Sequence, residues 1–205
     1  MRLIVVRHGQ TSCNIGNIWH GWDECGLTDE GLAQAEAVGA RLSGESIDAV
    51  YTSPSLRAVQ TARAVAAPHG LEPLLRPGLR ERNAGEYEGV LVDEVVARRP
   101  TIWEDRAADY WNWRPPGGES FAEVLARTLQ VLDSIREKHG DETVALVTHM
   151  GPARVLLSRL AGIPLDETYA MEFPSTGVSI FTLEGDAATV EAINDAGHVH
   201  APGAP

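Results

Sequence analysis

The stretch RLIVVRHGQT, residues 2–11, indicates the fold of this chain. Its apolar run at residues 3–6 is unbroken and lies between two arginines, Arg2 and Arg7. A strand with one face in water alternates apolar and polar residues, whereas a strand of a parallel sheet is covered on both faces and is apolar throughout. We therefore predict a buried parallel strand here. In open α/β sheets ligands bind where such strands end, so His8, which follows directly after Arg7, becomes a candidate site residue.

Helix and strand signals alternate along the rest of the chain. Thr28 is typical of a helix N-cap, Ser53 and Pro54 of a cap followed by a first helical residue, and Ser120 with Glu123 of a capping box. We predict strands at residues 3–6, 49–52, 144–147, 178–183 and 189–193, the last two as a hairpin, and helices at about 29–42, 54–67, 121–135 and 152–160. The alternation predicts a three-layer α/β/α sandwich whose central sheet is mostly parallel, with an antiparallel strand from the hairpin.

Residues 71–118 are irregular and rich in proline and glycine, with short helices expected near 91–98 and 103–111. We interpret residues 82–118, called the lid segment below, as an insertion over the ligand-binding edge of the sheet. Nothing in this region resembles a linker, so residues 1–205 are predicted to form a single domain. The last residues, 201–205, are expected to be frayed.

Composition and charge exclude several classes of protein. The 205 residues include 17 basic and 29 acidic side chains, for a formal net charge of −12, and a single lysine, Lys138. An acidic chain without a basic run lacks the cationic face that nucleic acids need, so no nucleic-acid partner is expected. No apolar stretch reaches the roughly 18–20 residues of a membrane span, and the first apolar run is too short for a signal peptide. With only two cysteines, Cys13 and Cys25, no disulfide framework is expected, and the predicted location is cytoplasmic.

Three predicted strand ends carry side chains suited to one chemistry. Arg7 and His8 follow the first strand, Arg57 lies in the first turn of the helix after the second, and His149 follows the strand at 144–147. Parallel strands end at the same edge of a sheet, so two arginines and two histidines are expected to meet there. Arginine side chains and helix N-termini bind phosphoryl oxygens, and a neutral imidazole can attack phosphorus. The edge therefore predicts a phosphoryl-binding pocket.

Other interpretations of these residues remain open. His8 and His149 could be metal ligands, but the positive charge of Arg7, next to His8, disfavours a divalent cation. No carboxylate shares the strand ends either, so no metal is expected. Each histidine alone, and Arg57 alone, is compatible with a structural role. Cys13 lies near His8 in the sequence, but no base accompanies it, which favours a small bystander residue over a thiol nucleophile.

The order and spacing of several motifs resemble the histidine phosphatase superfamily, the phosphoglycerate-mutase-like proteins. The matching blocks are Arg7-His8-Gly9-Gln10-Thr11 with Asn14, Gly26 to Gly31 with Gln34-Ala35, Thr52-Ser53-Pro54 with Arg57, Gln60 and Thr61-Ala62, Leu79 with Glu81, Gly85 and Glu88-Gly89, Pro116 to Ser120, and Val147-Thr148-His149. One Arg-His-Gly motif is weak evidence, whereas six blocks in this order cover nearly the whole chain. The resemblance implies an enzyme that acts through a phosphohistidine and needs neither metal nor cofactor.

The resemblance also implies a role for each site residue. His8 would attack phosphorus and carry the phosphoryl group, and Glu81 would protonate the leaving oxygen and then activate water. The residues that would hold the phosphoryl oxygens or the rest of the substrate are Arg7, Arg57 and His149 with help from Asn14, together with Gln10, Thr11 and Arg82 from the same motifs. Glu86 and Glu88 are rival acids, and only the motif match favours Glu81.

A phosphatase is favoured over a mutase of the same family. Glycolytic mutases follow the acid with Arg-x-Tyr-Gly and place a lysine further along. Here Arg82 matches the arginine of this motif, but Ala84 stands at the tyrosine position and residues 91–94 contain no lysine. The prediction is therefore a metal-independent phosphomonoester hydrolase that acts on a small phosphorylated metabolite. The alternatives are a cofactor-dependent phosphoglycerate mutase and a non-catalytic module that binds a phosphorylated ligand.

The lid segment carries aromatic and basic side chains that bear on the choice of substrate. They are Trp103, Trp111 and Trp113 with Arg98, Arg99, Arg106 and Arg114. Such a set can stack a sugar or a base and bind a second anion. We slightly favour the alternative interpretation, in which the tryptophans pack the segment onto the sheet and the arginines lie in solvent. Members of the family often form dimers, so a homodimer is a further expectation.

Overall fold

Strands and helices alternate along the chain in the predicted order. The computed structural model describes residues 1–199, so the segment expected to be frayed, 201–205, lies outside the described residues. The strands are β1 (Arg2–Arg7), β2 (Ile18–Trp19), β3 (Ala49–Thr52), β4 (Leu74–Leu75), β5 (Val90–Leu91), β6 (Thr143–Thr148), β7 (Val178–Glu184) and β8 (Ala187–Asp195). The helices are α1 (Ser12–Ile15), α2 (Asp29–Leu42), α3 (Leu56–Ala66), α4 (Val92–Arg98), α5 (Ile102–Ala108), α6 (Phe121–His139) and α7 (Met150–Ala161). None of the helices in residues 1–199 is long and apolar enough to cross a membrane.

Six of the strands form one sheet in the order β4-β3-β6-β1-β7-β8. Strands β4, β3, β6 and β1 run parallel, whereas β7 pairs antiparallel with both β1 and β8. Helices α2 and α3 pack on one face of this sheet, and α6 and α7 pack on the other. The predicted three-layer α/β/α sandwich with a mostly parallel central sheet is therefore confirmed.

Strand β1 shows why its sequence is apolar throughout. Leu3 and Val5 contribute to the core beneath α6 and α7, whereas Ile4 and Val6 contribute to the core beneath α2 and α3. All four side chains are at most 2% exposed. Burying a side chain of this size stabilises a fold by about 1.5–3 kcal/mol. A polar residue on either face of β1 would therefore be costly.

Helix α3 begins two residues later than predicted. Ser53 is not its cap, because the Ser53 N–H donates to the Val147 carbonyl at 3.1 Å and so continues the sheet ladder beyond β3. The helix starts at Leu56, with Ser55 in the N-cap position. The hydroxyl of Ser53 accepts from the Ser55 N–H at 3.3 Å. The strand end therefore extends by one residue, which brings the Ser53 side chain to the candidate site.

Cys13 and Cys25 form a disulfide, which the sequence analysis does not predict. The two residues are 12 positions apart, and the bond ties α1 to the loop that precedes α2. The interpretation of Cys13 as a small bystander residue is therefore wrong. Its sulfur is bonded to a second sulfur and is not a free thiol.

Candidate active site

The ends of β1, β3 and β6 bring the predicted side chains together. Strand β6 lies between the other two, and the N–H of His8 donates to the carbonyl of Thr148 at 3.0 Å. The rings of His8 and His149 are 5.0 Å apart between centroids, edge to face. Arg57, in the first turn of α3, donates from Nε to Nδ1 of His149 at 3.2 Å. Two histidines and a buried arginine from three strand ends therefore share one place.

His8 has the protonation state that a nucleophile requires. The residue is 2% exposed, and its Nδ1 lies 2.7 Å from the carbonyl oxygen of Gly9. A carbonyl only accepts hydrogen bonds, so Nδ1 carries the proton and Nε2 keeps its lone pair. Burial, reinforced by the charges of Arg7 and Arg57, holds the pKa of His8 well below its usual value. The ring is therefore neutral at pH 7.

Arg57 is fully buried, and the protein itself uses three of its nitrogens. Nη1 donates to the carbonyl of Asp23 at 2.9 Å and Nη2 to that of Gly21 at 2.7 Å. Because Nδ1 of His149 accepts from Arg57, Nε2 of His149 carries the proton and donates to Oγ of Ser53 at 2.8 Å. Burial, followed by the charge of Arg57, lowers the pKa of His149. Arg57 and His149 thus support the site from behind its surface.

A cavity of about 440 Å³ lies beside His8. The predicted site residues that line it are Arg7, His8, Asn14, Glu81 and Arg82. Gln10 and Thr11 lie elsewhere: Oε1 of Gln10 accepts from Oγ1 of Thr28 at 3.0 Å, and Oγ1 of Thr11 caps α1. These two residues stabilise the loop after β1 and do not face the cavity. In the part of the chain that the structure describes, no group of three His, Cys, Asp or Glu side chains could hold a metal ion.

Backbone donors hold Glu81 in the cavity wall. Its Oε1 accepts from the N–H of Arg82 at 2.7 Å, and both carboxyl oxygens accept from the N–H of Gly151, at 3.0 and 3.1 Å. Arg127 on α6 donates to the main-chain carbonyl of Glu81 at 2.9 Å and forms an ion pair with Glu119 at 2.9 Å. The carboxyl group therefore has a fixed position beside the cavity, as a general acid requires.

The rival carboxyl groups, Glu86 and Glu88, do not line the cavity. Instead, Glu88 organises the backbone around it. Its carboxyl oxygens accept hydrogen bonds of 2.8, 2.9 and 2.8 Å from the N–H groups of Gly21, Trp22 and Ala84. The loop at residues 21–23 is the one whose carbonyls hold Arg57, so Glu88 supports the site indirectly.

Two ionisable residues of the cavity, His20 and Arg154, are not among the predicted site residues. His20 follows β2; its Nδ1 donates to the Ile18 carbonyl at 2.9 Å, and its Nε2 accepts from Nδ2 of Asn14 at 3.4 Å. Burial lowers its pKa. Arg154 is only 5% exposed, although it is charged and lies in the buried part of α7. A charge inside that apolar run is a signal for Arg154, whereas His20 follows a two-residue strand that the sequence does not predict and belongs to no motif.

The lid segment has both surface residues and cavity residues. The surface arginines are ion-paired: Arg98 with Glu94, Arg99 with Asp105, and Arg114 with Glu123. Trp111 packs beside Phe121, and Trp113 lies 6.3 Å from Trp19 between ring centroids. Only Trp103 and Arg106 of the seven predicted residues line the cavity. The structure thus brings one aromatic and one basic residue of this set to the site.

Comparison with known proteins agrees with this geometry. The model of the histidine phosphatase superfamily, branch 1, matches residues 3–196. Phosphoserine phosphatase 1 of Hydrogenobacter thermophilus is 29% identical over 184 residues, covering 90% of this chain and 87% of that protein. A 2,3-bisphosphoglycerate-dependent phosphoglycerate mutase of Brucella melitensis is 32% identical over 197 residues, covering 90% of this chain and 93% of that protein. The solved structure of Bacillus stearothermophilus YhfR has a TM-score of 0.88 at 32% identity and covers 97% of this chain and 98% of its own. On this evidence, the chain belongs to the histidine phosphatase superfamily.

Proposed function

We propose that this protein is a phosphomonoester hydrolase that acts through a phosphohistidine on a small phosphorylated metabolite. The state of His8 carries the proposal: a buried, neutral ring at a cavity, with Nδ1 bonded to the Gly9 carbonyl at 2.7 Å. Arg7 and Glu81 line the same cavity. A nucleophile, a cation for phosphoryl oxygens and a carboxyl group are the parts that this reaction needs.

The reaction takes place in two steps. In the first, Nε2 of His8 attacks phosphorus, so that an N–P bond forms while the bond to the ester oxygen breaks and Glu81 gives that oxygen a proton. In the second, Glu81 takes a proton from water, the water oxygen attacks phosphorus, and the N–P bond breaks to release inorganic phosphate. No metal or cofactor enters either step.

Charge on the phosphoryl oxygens is met by groups already in place. We assign the direct contacts to Arg7 and Asn14, which line the cavity. Arg57 and His149 act first through position and charge, because their donors already bond to Gly21, Asp23 and Ser53. His149 contacts the phosphoryl group directly only by giving up its bond to Ser53, whereas Arg57 uses three of its five N–H donors and keeps one on each terminal nitrogen.

Hydrolysis is favoured over phosphoryl transfer between substrate positions. Glycolytic mutases carry a tyrosine and a lysine after the acid, and they must keep water from the phosphohistidine. The chain has Ala84 where glycolytic mutases have tyrosine, and its only lysine, Lys138, lies on α6. The relatives include both a phosphoserine phosphatase and a phosphoglycerate mutase, so mutase activity is the second candidate.

Hydrolysis of p-nitrophenyl phosphate in the presence of EDTA tests the mechanism. We expect turnover by the wild type, no turnover by His8→Ala, and an acid-labile phosphoryl group on the rapidly quenched wild-type chain. Loss of activity in EDTA would contradict metal independence, and activity of His8→Ala would contradict the nucleophile assignment. Adding 3-phosphoglycerate with 2,3-bisphosphoglycerate reveals a mutase, and binding of phosphoesters without turnover would favour the non-catalytic module.

We place the reaction in the cytoplasm, because two cysteines are too few for the disulfide frameworks of small secreted domains. Cellular thiols there would reduce the Cys13–Cys25 bond, so catalysis should not require it. Assays with and without dithiothreitol test this expectation. Inactivation on reduction would instead favour an oxidising compartment.

A further inference from the structure

Three arginines converge on the part of the cavity beyond Glu81. Arg82, Arg106 and Arg154 all line it, together with Phe121. Arg106 comes from α5 in the lid segment and Arg154 from α7. None of the three forms an ion pair with a carboxylate within residues 1–199. Their positive charges are therefore concentrated at one wall of the cavity without a matching acid.

Some donors of this cluster have no partner. Nη1 of Arg82 and Nε of Arg154 are buried and make no hydrogen bond within the described residues. An unsatisfied buried donor costs about 1–3 kcal/mol, and such groups are rare in native proteins. Burial and the charge of Arg106 lower the pKa of Arg82 to about 10, as expected for guanidinium groups held close together. The fold thus maintains donors that an anion in the cavity can satisfy.

Aromatic rings keep these guanidinium groups in position. The guanidinium carbon of Arg82 lies 4.5 Å from the ring centroid of Phe121. Those of Arg106 and Arg154 lie 4.4 and 4.1 Å from the ring centroid of Tyr169, whose hydroxyl also accepts from Nε of Arg106 at 3.0 Å and from its Nη2. A cation–π contact fixes the plane of a guanidinium group and leaves its charge unneutralised. Arginine donors held in this way are suited to the oxygens of a carboxylate or a phosphate.

Two members of the cluster, Arg82 and Arg154, lie close to Glu81. Glu81 protonates the leaving oxygen in the proposed reaction, so the leaving group extends past Glu81. Arg82 is the next residue of the chain. Arg154 lies about one helical turn beyond Gly151, whose N–H binds the Glu81 carboxyl group at 3.0 Å.

We propose that Arg82, Arg106 and Arg154 bind a second anionic group, a carboxylate or a phosphate, on the leaving-group portion of the substrate. The inference rests on the hydrolase function proposed above and narrows its substrates to phosphomonoesters whose alcohol product is itself an anion. The cavity lining contains one carboxyl group, Glu81, against these three arginines and Arg7. Although the whole chain carries −12, this cavity is therefore cationic and focuses anions.

A matched series of phosphate esters tests the proposal. Propyl phosphate, 3-phosphooxypropanoate and 1,3-propanediol bisphosphate differ only in the group at the far end of the chain. For the wild type we expect kcat/KM for one or both charged esters to exceed that for propyl phosphate by about 10- to 100-fold, the range for charge-assisted hydrogen bonds. The preferred ester identifies the second group as carboxylate or phosphate. A wild-type ratio near 1 would overturn the proposal.

Three variants locate the preference. In Arg106→Met and Arg154→Met the ratio between charged ester and propyl phosphate should fall by about tenfold or more. Arg98→Met is the matched control, because Arg98 belongs to the lid segment but is exposed and paired with Glu94 at 3.0 Å; its ratio should equal that of the wild type. Circular dichroism and thermal melting show whether Arg154→Met is folded. If it is not, the test rests on Arg106→Met, because Arg106 is less buried. An unchanged ratio in folded Arg106→Met would overturn the proposal.

Binding without turnover separates the two proposals. Calorimetric titration of His8→Ala with propyl phosphate and with the two charged esters measures discrimination directly. Tighter binding of a charged ester by about tenfold, with no hydrolysis of any ester by the wild type, would contradict the hydrolase and support the anion site. Equal binding of all three esters, with hydrolysis of each at similar kcat/KM, would support the hydrolase and overturn the anion site.

Discussion

At the scale of single residues, the position of Glu81 depends on a glycine. A Cβ atom at Gly151 would lie 2.1 Å from Oε1 of Glu81. Gly151→Ala therefore displaces the carboxyl group and removes its bonds from Gly151 and Arg82, while alanine raises helix propensity by up to about 1 kcal/mol. We expect a folded protein whose kcat for an alkyl phosphate falls by about 100-fold, the contribution of a general acid. Steady-state kinetics with propyl phosphate measures the loss.

The leaving group and a second glycine provide the controls. Because p-nitrophenolate leaves without a proton, kcat for p-nitrophenyl phosphate should fall less in Gly151→Ala than kcat for propyl phosphate. Gly44→Ala is the matched control, because a Cβ atom at Gly44 would have no other atom within 4 Å. Its kinetics should equal those of the wild type. Equal losses for both esters would contradict the role of Glu81 as the acid.

At the scale of elements, α6 anchors the segment that carries Glu81. Arg127 donates to the carbonyls of Gly78, Arg80 and Glu81 at 2.8, 2.7 and 2.9 Å. Arg127→Met removes this donor from the three carbonyls and from Glu119, so we expect a loss of about 2–4 kcal/mol in the free energy of unfolding. Urea denaturation measures it. Arg136→Met, on the exposed side of the same helix, should change stability by less than about 0.5 kcal/mol; equal effects would contradict the anchoring role.

The disulfide joins two other elements, α1 and the loop before α2. The bonded cysteines are 12 residues apart, so the disulfide closes a short loop in the unfolded chain. The lost entropy of the unfolded chain predicts a stabilisation of the fold by about 3 kcal/mol. We expect dithiothreitol to lower the urea midpoint of the wild type. The double substitution Cys13→Ser with Cys25→Ser should have that lower midpoint in either buffer. A wild-type midpoint insensitive to reduction would contradict this prediction.

The sequence predicts elements better than it predicts which side chains meet. An apolar run such as β1 identifies a buried strand, and the capping box of Ser120 and Glu123 forms as predicted. The start of α3 is missed because Ser53 bonds across the sheet instead of capping, which depends on a strand that is distant in the chain. Strand ends also locate His8 and His149. His20 reaches the cavity from a loop, and tertiary packing alone places it there. Arg154 reaches it from within α7, where its charge in an apolar run is the one sequence signal.

Across the fold, the site requires buried histidines that stay neutral. Burial lowers the pKa values of His8, His20 and His149 in the folded state. In the unfolded chain each histidine regains a pKa of about 6.5. Between pH 6.5 and 5 the unfolded state therefore binds protons that the folded state does not, and folding stability decreases as pH falls. Carboxyl groups whose pKa is lowered in the folded state, such as those of Glu123 and Asp195, reduce stability only at lower pH.

This difference in proton binding predicts a specific slope. A histidine that stays neutral in the folded state contributes up to about 1.4 kcal/mol per pH unit. The free energy of unfolding should therefore decrease from pH 6.5 to 5, mainly through His8 and His149, whose pKa values lie well below the usual value. Urea denaturation at several pH values measures the slope. In His149→Asn, where an amide can still bond to Ser53, the slope should be smaller by one histidine. Stability that stays constant or rises as pH falls over this range would contradict the prediction, because the unfolded state would then bind no more protons than the folded state.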